Sequence, residues 1–252
     1  MFTFAGKLHI NNFSCIMANV IKIKKGLDIN LKGKASDVLL NGGKSDSYAI
    51  VPDYYNGIVP KVVAKVGEKV KAGSVLMIDK NRPEIKFVSP VSGEVTAVNR
   101  GEKRKVLSIV VKPDAQIEYE EFGKKNVASL QGAEVKEVLL NAGMWPFIKQ
   151  RPYDIVAAPL DTPRDIFVSA FYSAPLAPNF DFIVKGQEAD FQTGLNALAK
   201  LTNGKVYVGV RSGSVVSGMK GVEIVEVEGP HPAANVGVQI NHIKPVNKGE
   251  VV

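Results

Sequence analysis

The chain has 252 residues, 45% of them hydrophobic, and 32 Lys plus Arg against 25 Asp plus Glu, a net charge of +7; this is enough for two modest cores or one large one. Its single cysteine, Cys15, excludes an intrachain disulfide framework and a cysteine-ligated iron–sulfur cluster. The basic excess is spread through KLHINN, KIKKG, GEKVK and GEKRK among acids, without the clustered face or interleaved aromatics of a nucleic-acid binder, so no nucleic-acid partner is expected.

Such scattered lysines read first as solvated strand edges and second as an attraction to an anionic leaflet or an acidic partner protein. Residues 1–16, MFTFAGKLHINNFSCI, make a poor signal peptide because Asn11 and Asn12 interrupt the apolar stretch. Met17 then opens MANVIKIKKGLDI, so residues 1–16 are expected to be a mis-started extension. No run of about 18 apolar residues occurs, and no membrane-spanning helix is expected.

Residues 17–112 are expected to form a small all-β domain. Short β-branched runs, IVPKVVAKV, SVLMI, IKFVS, GEVTAVN and VLSIVV, alternate with Gly, Pro or Asn turns. Gly67-Glu68-Lys69 recurs as Gly101-Glu102-Lys103, each copy following a strand, as two interlocked halves of a flattened barrel require. Residues 113–128, with Pro113 and an acidic run EYEE, read as a linker.

From 129 to 252 the period changes. Val135, Val138, Leu139 and Ala142 share one helical face that ends at Gly143. YDIVAA and DIFVSAF read as strands, Gln187 to Leu201 as the clearest helix, KVYVGV and VEIVEV as strands, and a short helix is expected from Pro232. Alternating strands and helices predict a three-layer, Rossmann-like α/β domain with a mainly parallel sheet. The expected architecture is thus multidomain, a barrel-sandwich hybrid followed by this α/β domain. The closing apolar pair Val251-Val252 suggests a chain cut at a domain edge.

The stretch RPEIKFVSPVSG has the layout of domains that carry biotin or lipoate on a hairpin lysine. Counting back from Pro90 to the place of that lysine reaches Arg82, which stays protonated and cannot be acylated. Lys80 and Lys86 are displaced along the strand, where slips change the face presented. The fold is therefore expected without its prosthetic group. No Gly-rich dinucleotide or P-loop motif occurs, and no His spacing suits a metal, His9, His231 and His242 being the only histidines. RSGSVVSG reads as a flexible loop before an anion cradle.

Two constellations stand out as candidate sites. Gly229, Pro230, His231 and Pro232 follow a strand, and would either present an imidazole at a sheet's C-terminal end or make a rigid strand-to-helix turn. Trp145, Phe147, Arg151 and Tyr153 form an aromatic and cationic group after the first helix, suited to clamping a planar ligand, a neighbouring protein or a helix end.

KIKKGLDI, VPDYYNGIVPKVVAKVGEKVKAG, DKNRPEIKFVSPVSGEVTAVNRGEKR, WPFIKQRPYD, IFVSAFYSAPLAP, FIVKGQEADFQTGLNAL and GPHPAANVGVQINHIKPVNKGE together resemble the alpha subunit of the Na+-translocating NADH:quinone oxidoreductases of bacterial respiratory membranes. The likeness runs from Met17 to Val252; Ala234 departs from the glycine expected in GPHPAG. The resemblance implies a peripheral subunit on the cytoplasmic face of the inner membrane. It implies no cofactor in this chain, with flavins, an iron–sulfur cluster, NADH and quinone handled by the other subunits of a six-subunit complex. It also implies an α/β domain similar to the flavin-binding fold of the complex I flavoprotein subunit without its Gly-rich loop. Quinone is a candidate ligand near this chain, and the isolated chain is expected to lack NADH oxidation. Two other readings remain at this point: a biotin or lipoyl carrier fused to an α/β domain, and the C subunit of the related Rnf ferredoxin:NAD complex.

Overall fold

The computed structural model describes residues 19–33 and 35–252; His9, Cys15 and the expected extension 1–16 lie outside the described residues. In chain order the first half holds β1 (Asn19–Lys22), β2 (Tyr48–Ile50), β3 (Pro60–Val62), β4 (Lys69–Val70), β5 (Val75–Asp79), β6 (Lys86–Val88), β7 (Gly93–Arg100) and β8 (Val106–Pro113). The second holds α1 (Gly132–Asn141), β9 (Lys149–Gln150), β10 (Ile155–Val156), β11 (Ile166–Ser169), α2 (Phe180–Val184), α3 (Glu188–Ala199), β12 (Val206–Val210), β13 (Glu223–Glu228) and α4 (Val236–Ile243).

Two antiparallel sheets, β2-β8-β7-β4 and β3-β5-β6, enclose the core of the first domain. Alternation sets which side chains face inward: Val95, Ile109 and Val111 are fully buried, whereas Thr96 and Leu107 between them point out. Leu76, Met77, Ile85 and Phe87 complete the core, each contributing roughly 1.5–3 kcal/mol by leaving water. The two copies of the GEK turn are used differently. The first carries the chain from β3 in one sheet to β4 in the other, whereas the second closes the β7–β8 hairpin within one sheet.

The second domain is built on a fully parallel sheet of order β1-β13-β12-β11. Its β-branched strands bury both faces, as parallel strands do: Val206, Val208 and Val210 pack with Leu195 of α3, and Val225 and Val227 pack with Val238 and Ile243 of α4. Helices therefore cover both sides and make three layers. Here β1 departs from the expected boundary, since its residues 19–22 fall in the segment read as β domain yet form the edge strand beside β13, with Asn19 opposite Val225. A strand paired with one about 200 positions away carries no local signal of its partner. α4 also begins later than expected: Asn235 caps it by accepting from Gly237 N–H at 2.9 Å, and Pro232 lies in the preceding turn.

The two domains share one apolar core, in which Val135, Trp145, Val156 and Leu201 pack with the β-sandwich residues. Glycines let the backbones meet. Gly143, at φ +68, ends α1 where a Cβ would stand 2.5 Å from Val88 of β6, and at Gly57, φ +79, a Cβ would stand 2.6 Å from Cβ of Ile155. Val156 N–H donates to Asn56 O across the junction at 2.9 Å, and Lys86 Nζ donates to Asn141 Oδ1 at 2.7 Å.

Candidate functional site

The β5–β6 hairpin tip is anchored to the second domain. Arg82 donates through Nε to Asp79 Oδ2 at 2.7 Å, through Nη1 to Val156 O at 3.1 Å and through Nη2 to Gly57 O at 2.9 Å. Asp79 is fully buried, and its Oδ1 accepts from Val59 and Asn81 N–H, both at 3.1 Å. A planar guanidinium reaches three acceptors at once, which an ammonium does less well. A carrier hairpin must be free to swing between active sites; this one is fastened at the carrier position itself.

The Gly229–Pro232 segment has a structural setting. It follows β13 and passes through a cis His231–Pro232 bond. His231 N–H donates to Asp28 Oδ1 at 2.8 Å, its carbonyl accepts from Leu27 N–H at 2.9 Å, and its ring Nδ1 lies 3.1 Å from Ser173 Oγ. Ser173 Oγ in turn accepts from Ala234 N–H at 3.0 Å. Arg211 closes the same end of the sheet, donating to Val227 O and Gly229 O while its guanidinium stacks 4.6 Å above the Phe171 ring. The imidazole is thus engaged in holding the chain after β1 against the turn after β13.

The Trp145–Tyr153 group opens on a cavity of about 400 Å³, within the usual range for small-molecule sites. Trp145 is buried, its Nε1 donating to Ala157 O at 2.8 Å. Ile148, Ile166, Val168, Leu198, Val236 and Ile240 supply apolar wall, and Phe147, 67% exposed, stands at the rim. Arg151 also lines it; its Nη2 pairs with Asp154 at 3.4 Å, and its Nε is buried with no hydrogen-bond partner among the described residues. Tyr153 points to solvent at 78% exposure and is absent from the lining. The structure therefore brings Trp145, Phe147 and Arg151 together and leaves Tyr153 and the Gly229–Pro232 turn elsewhere.

Residues that the sequence did not single out complete this cavity. β11 is the end strand of its sheet. Ile166 and Ala170 donate to Lys205 O and Gly209 O of the β12 side, so by the two-residue period of a parallel ladder the peptide groups of Phe167 and Ser169 turn outward toward the cavity. No sequence pattern marks an end strand; a cavity assembled from α3, α4, β11 and the β9–β10 hairpin is visible only after folding. Polar side chains at its margin are engaged: Lys136 Nζ donates to Pro159 O at 2.6 Å, and Gln150 bridges Ala158 N–H and Asp161. Among the described residues no group of three His, Cys, Asp or Glu is placed to hold a metal ion, and no helix is long and apolar enough to cross a membrane.

A barrel-sandwich hybrid with arginine at the carrier position, fused through a common core to a parallel α/β domain with an apolar edge cavity, defines a two-domain scaffold of the lapsed-carrier class. Residues 21–114 match the family model of the NqrA N-terminal barrel-sandwich hybrid domain, and residues 130–252 match that of the NqrA second alpha/beta domain. The chain belongs to the NqrA family, the alpha subunits of the Na+-translocating NADH-quinone reductases. Relatives named as this NqrA component are 37% identical over 237 residues in Photorhabdus laumondii and 38% identical over 238 residues in Hahella chejuensis, covering 92% of this chain and 53% of each relative. The Yersinia pestis protein is 35% identical over 237 residues with the same coverage. The chain thus spans about half the length of the curated relatives it matches. These relatives favour the reductase over the Rnf and carrier readings.

Proposed function

We propose that this chain works as part of a peripheral, cytoplasm-facing subunit of a Na+-translocating NADH:quinone reductase, and that its cavity beside β11 receives the quinone ring. The chain contributes no cofactor; flavins and the iron–sulfur cluster belong to the other subunits. The reading rests above all on the cavity: apolar walls, the indole of Trp145 on one side, and hydrogen-bond donors without partners among the described residues, Arg151 Nε–H and the outward amides of Phe167 and Ser169. A planar ring with carbonyl oxygens meets those requirements, because buried donors left unmade are costly and a carbonyl satisfies them without bringing charge. The reading assigns no sodium site to this chain.

The test applies a photoreactive quinone to the complex co-purified around the full-length protein. Labelling of the segments around Trp145–Arg151 and Ile166–Ser169, competed by unlabelled quinone, is expected. Val168→Phe, which fills the cavity, is expected to reduce both labelling and quinone reduction by roughly tenfold, about 1.4 kcal/mol, while NADH oxidation by an artificial acceptor continues. Labelling confined to other subunits, or insensitive to Val168→Phe, would exclude quinone from this cavity.

A further inference from the structure

On the opposite side of the Arg82 anchor, a second depression of about 450 Å³ lies between the 3-10 turn Pro52–Tyr54 and the loop joining β7 to β8. Arg100, Arg104 and Lys105 line it, against Asp53 as the sole acid of the lining. Asp53 is already neutralised by Lys105 Nζ at 2.7 Å. Among the described residues Arg104 makes no side-chain hydrogen bond or ion pair, and Arg100 donates only to Arg104 O, at 3.2 Å. Two guanidinium groups thus face one depression without a counter-charge.

The backbone that carries them is unusual. Lys103 and Arg104 both adopt left-handed conformations, φ 52 and 61, which side chains disfavour in L-residues and which tend to persist where function requires them. Backbone bonds hold the loop in this form: Gly101 N–H to Lys105 O at 2.8 Å and Lys105 N–H to Glu102 O at 3.0 Å. The floor is prepared as well. The carbonyl of Gly57, which would repel an anion, is engaged from behind by Arg82 Nη2. Beside the depression Tyr54 and Leu107 are exposed, at 77% and 43%.

We propose that this depression is a phosphate-recognition site, in which Arg100 and Arg104 grip the oxygens of a phosphate group. Forked guanidinium donors match tetrahedral oxyanions, and two with no competing carboxylate select for more than one negative oxygen. The phosphate can belong to an anionic lipid headgroup, with Tyr54 and Leu107 against the lipid surface, or to free phosphate. The full chain would be sedimented with phosphatidylglycerol vesicles and with phosphatidylcholine vesicles, and separately titrated with inorganic phosphate while its melting temperature is followed.

Binding to phosphatidylglycerol alone, weakened roughly tenfold or more by the double change Arg100→Gln and Arg104→Gln and partly retained by Arg104→Lys, supports the site with a lipid source. A phosphate-dependent rise in melting temperature without vesicle binding, lost in the double variant, supports it with a free-phosphate source. Equal responses of wild type and double variant would overturn the site, as would silence in both arms. Capture by polyglutamate without any phosphate response would also overturn it, in favour of an acidic protein surface. Both guanidinium groups are exposed, so the circular dichroism of the variants is expected to match the parent.

Discussion

Arg82 shows how one side chain decides between two uses of a fold. Its partner Asp79 has a side chain only 1% exposed, so the carboxylate depends on Arg82 for its counter-charge. Removing one member of a fully buried pair costs about 3–5 kcal/mol. Arg82 is 20% exposed, so Arg82→Ala is expected to lose less, on the order of 2–3 kcal/mol, in denaturant unfolding. Arg82→Lys restores the charge but not the fork, and is expected to fall between the parent and Arg82→Ala. It also restores the residue type of a carrier at the carrier position. Because the tip remains packed against Gly57 and Val156, the intact mass of Arg82→Lys after co-expression with biotin or lipoate ligase is expected to be unmodified. A stoichiometric adduct would mean that the hairpin opens and that chemistry, rather than docking, was the only thing lost.

At the scale of elements, what could be read from the sequence was whatever depends on local period. The strands β5, β7, β8, β12 and β13 lie in the quoted β-branched runs, and α1 and α3 follow apolar faces of 3.6-residue period. What escaped is held by distant partners: the pairing of β1 with β13, the outward edge of β11, and the closing segment after α4. That last segment is fixed by a buried cluster. Asp165 accepts from Lys205 N–H at 3.0 Å, Arg164 Nε at 2.8 Å and Lys244 Nζ at 2.7 Å, and Arg164 reaches on to Glu250 and to the carbonyls of Lys244 and Pro245. Burial pushes the Asp165 carboxyl up, yet the hydrogen bonds from Lys244, Lys205 and Arg164 outweigh it and hold the group below its usual 3.8. A carboxyl depressed in the folded state stabilises fully above its unfolded value and loses that contribution as the pH falls through the folded one. Asp165→Asn is therefore expected to be less stable than the parent at neutral pH by about 2 kcal/mol, with the difference shrinking below about pH 4. A gap in melting temperature that is the same at pH 3 and pH 7 would show that the charge of Asp165 contributes nothing.

For the whole molecule, the continuous core determines how the two domains behave together. Carrier domains are usually tethered by free linkers, but here the segment after β8 is tied back to the sandwich, with Ala72 and Glu118 to Glu120 exchanging backbone bonds at 2.8 and 2.9 Å. Trp145 sits where the domains meet, buried among residues of both, and it is the only tryptophan in the chain. Its fluorescence therefore reports the junction, while far-ultraviolet circular dichroism reports strands and helices throughout. If one core serves both domains, neither can lose its packing without exposing the other's, and the two probes are expected to give a single coincident denaturant transition. The steepness should match the surface exposed by all the described residues, because the slope scales with the area uncovered. In Arg82→Ala, with Asp79 left unpaired and Val156 O and Gly57 O released, the fluorescence midpoint is expected to move to lower denaturant ahead of the dichroism. Separate transitions already in the parent would mean that the hairpin merely rests on the α/β domain, and the fastening at the carrier position would no longer explain why this sandwich cannot swing.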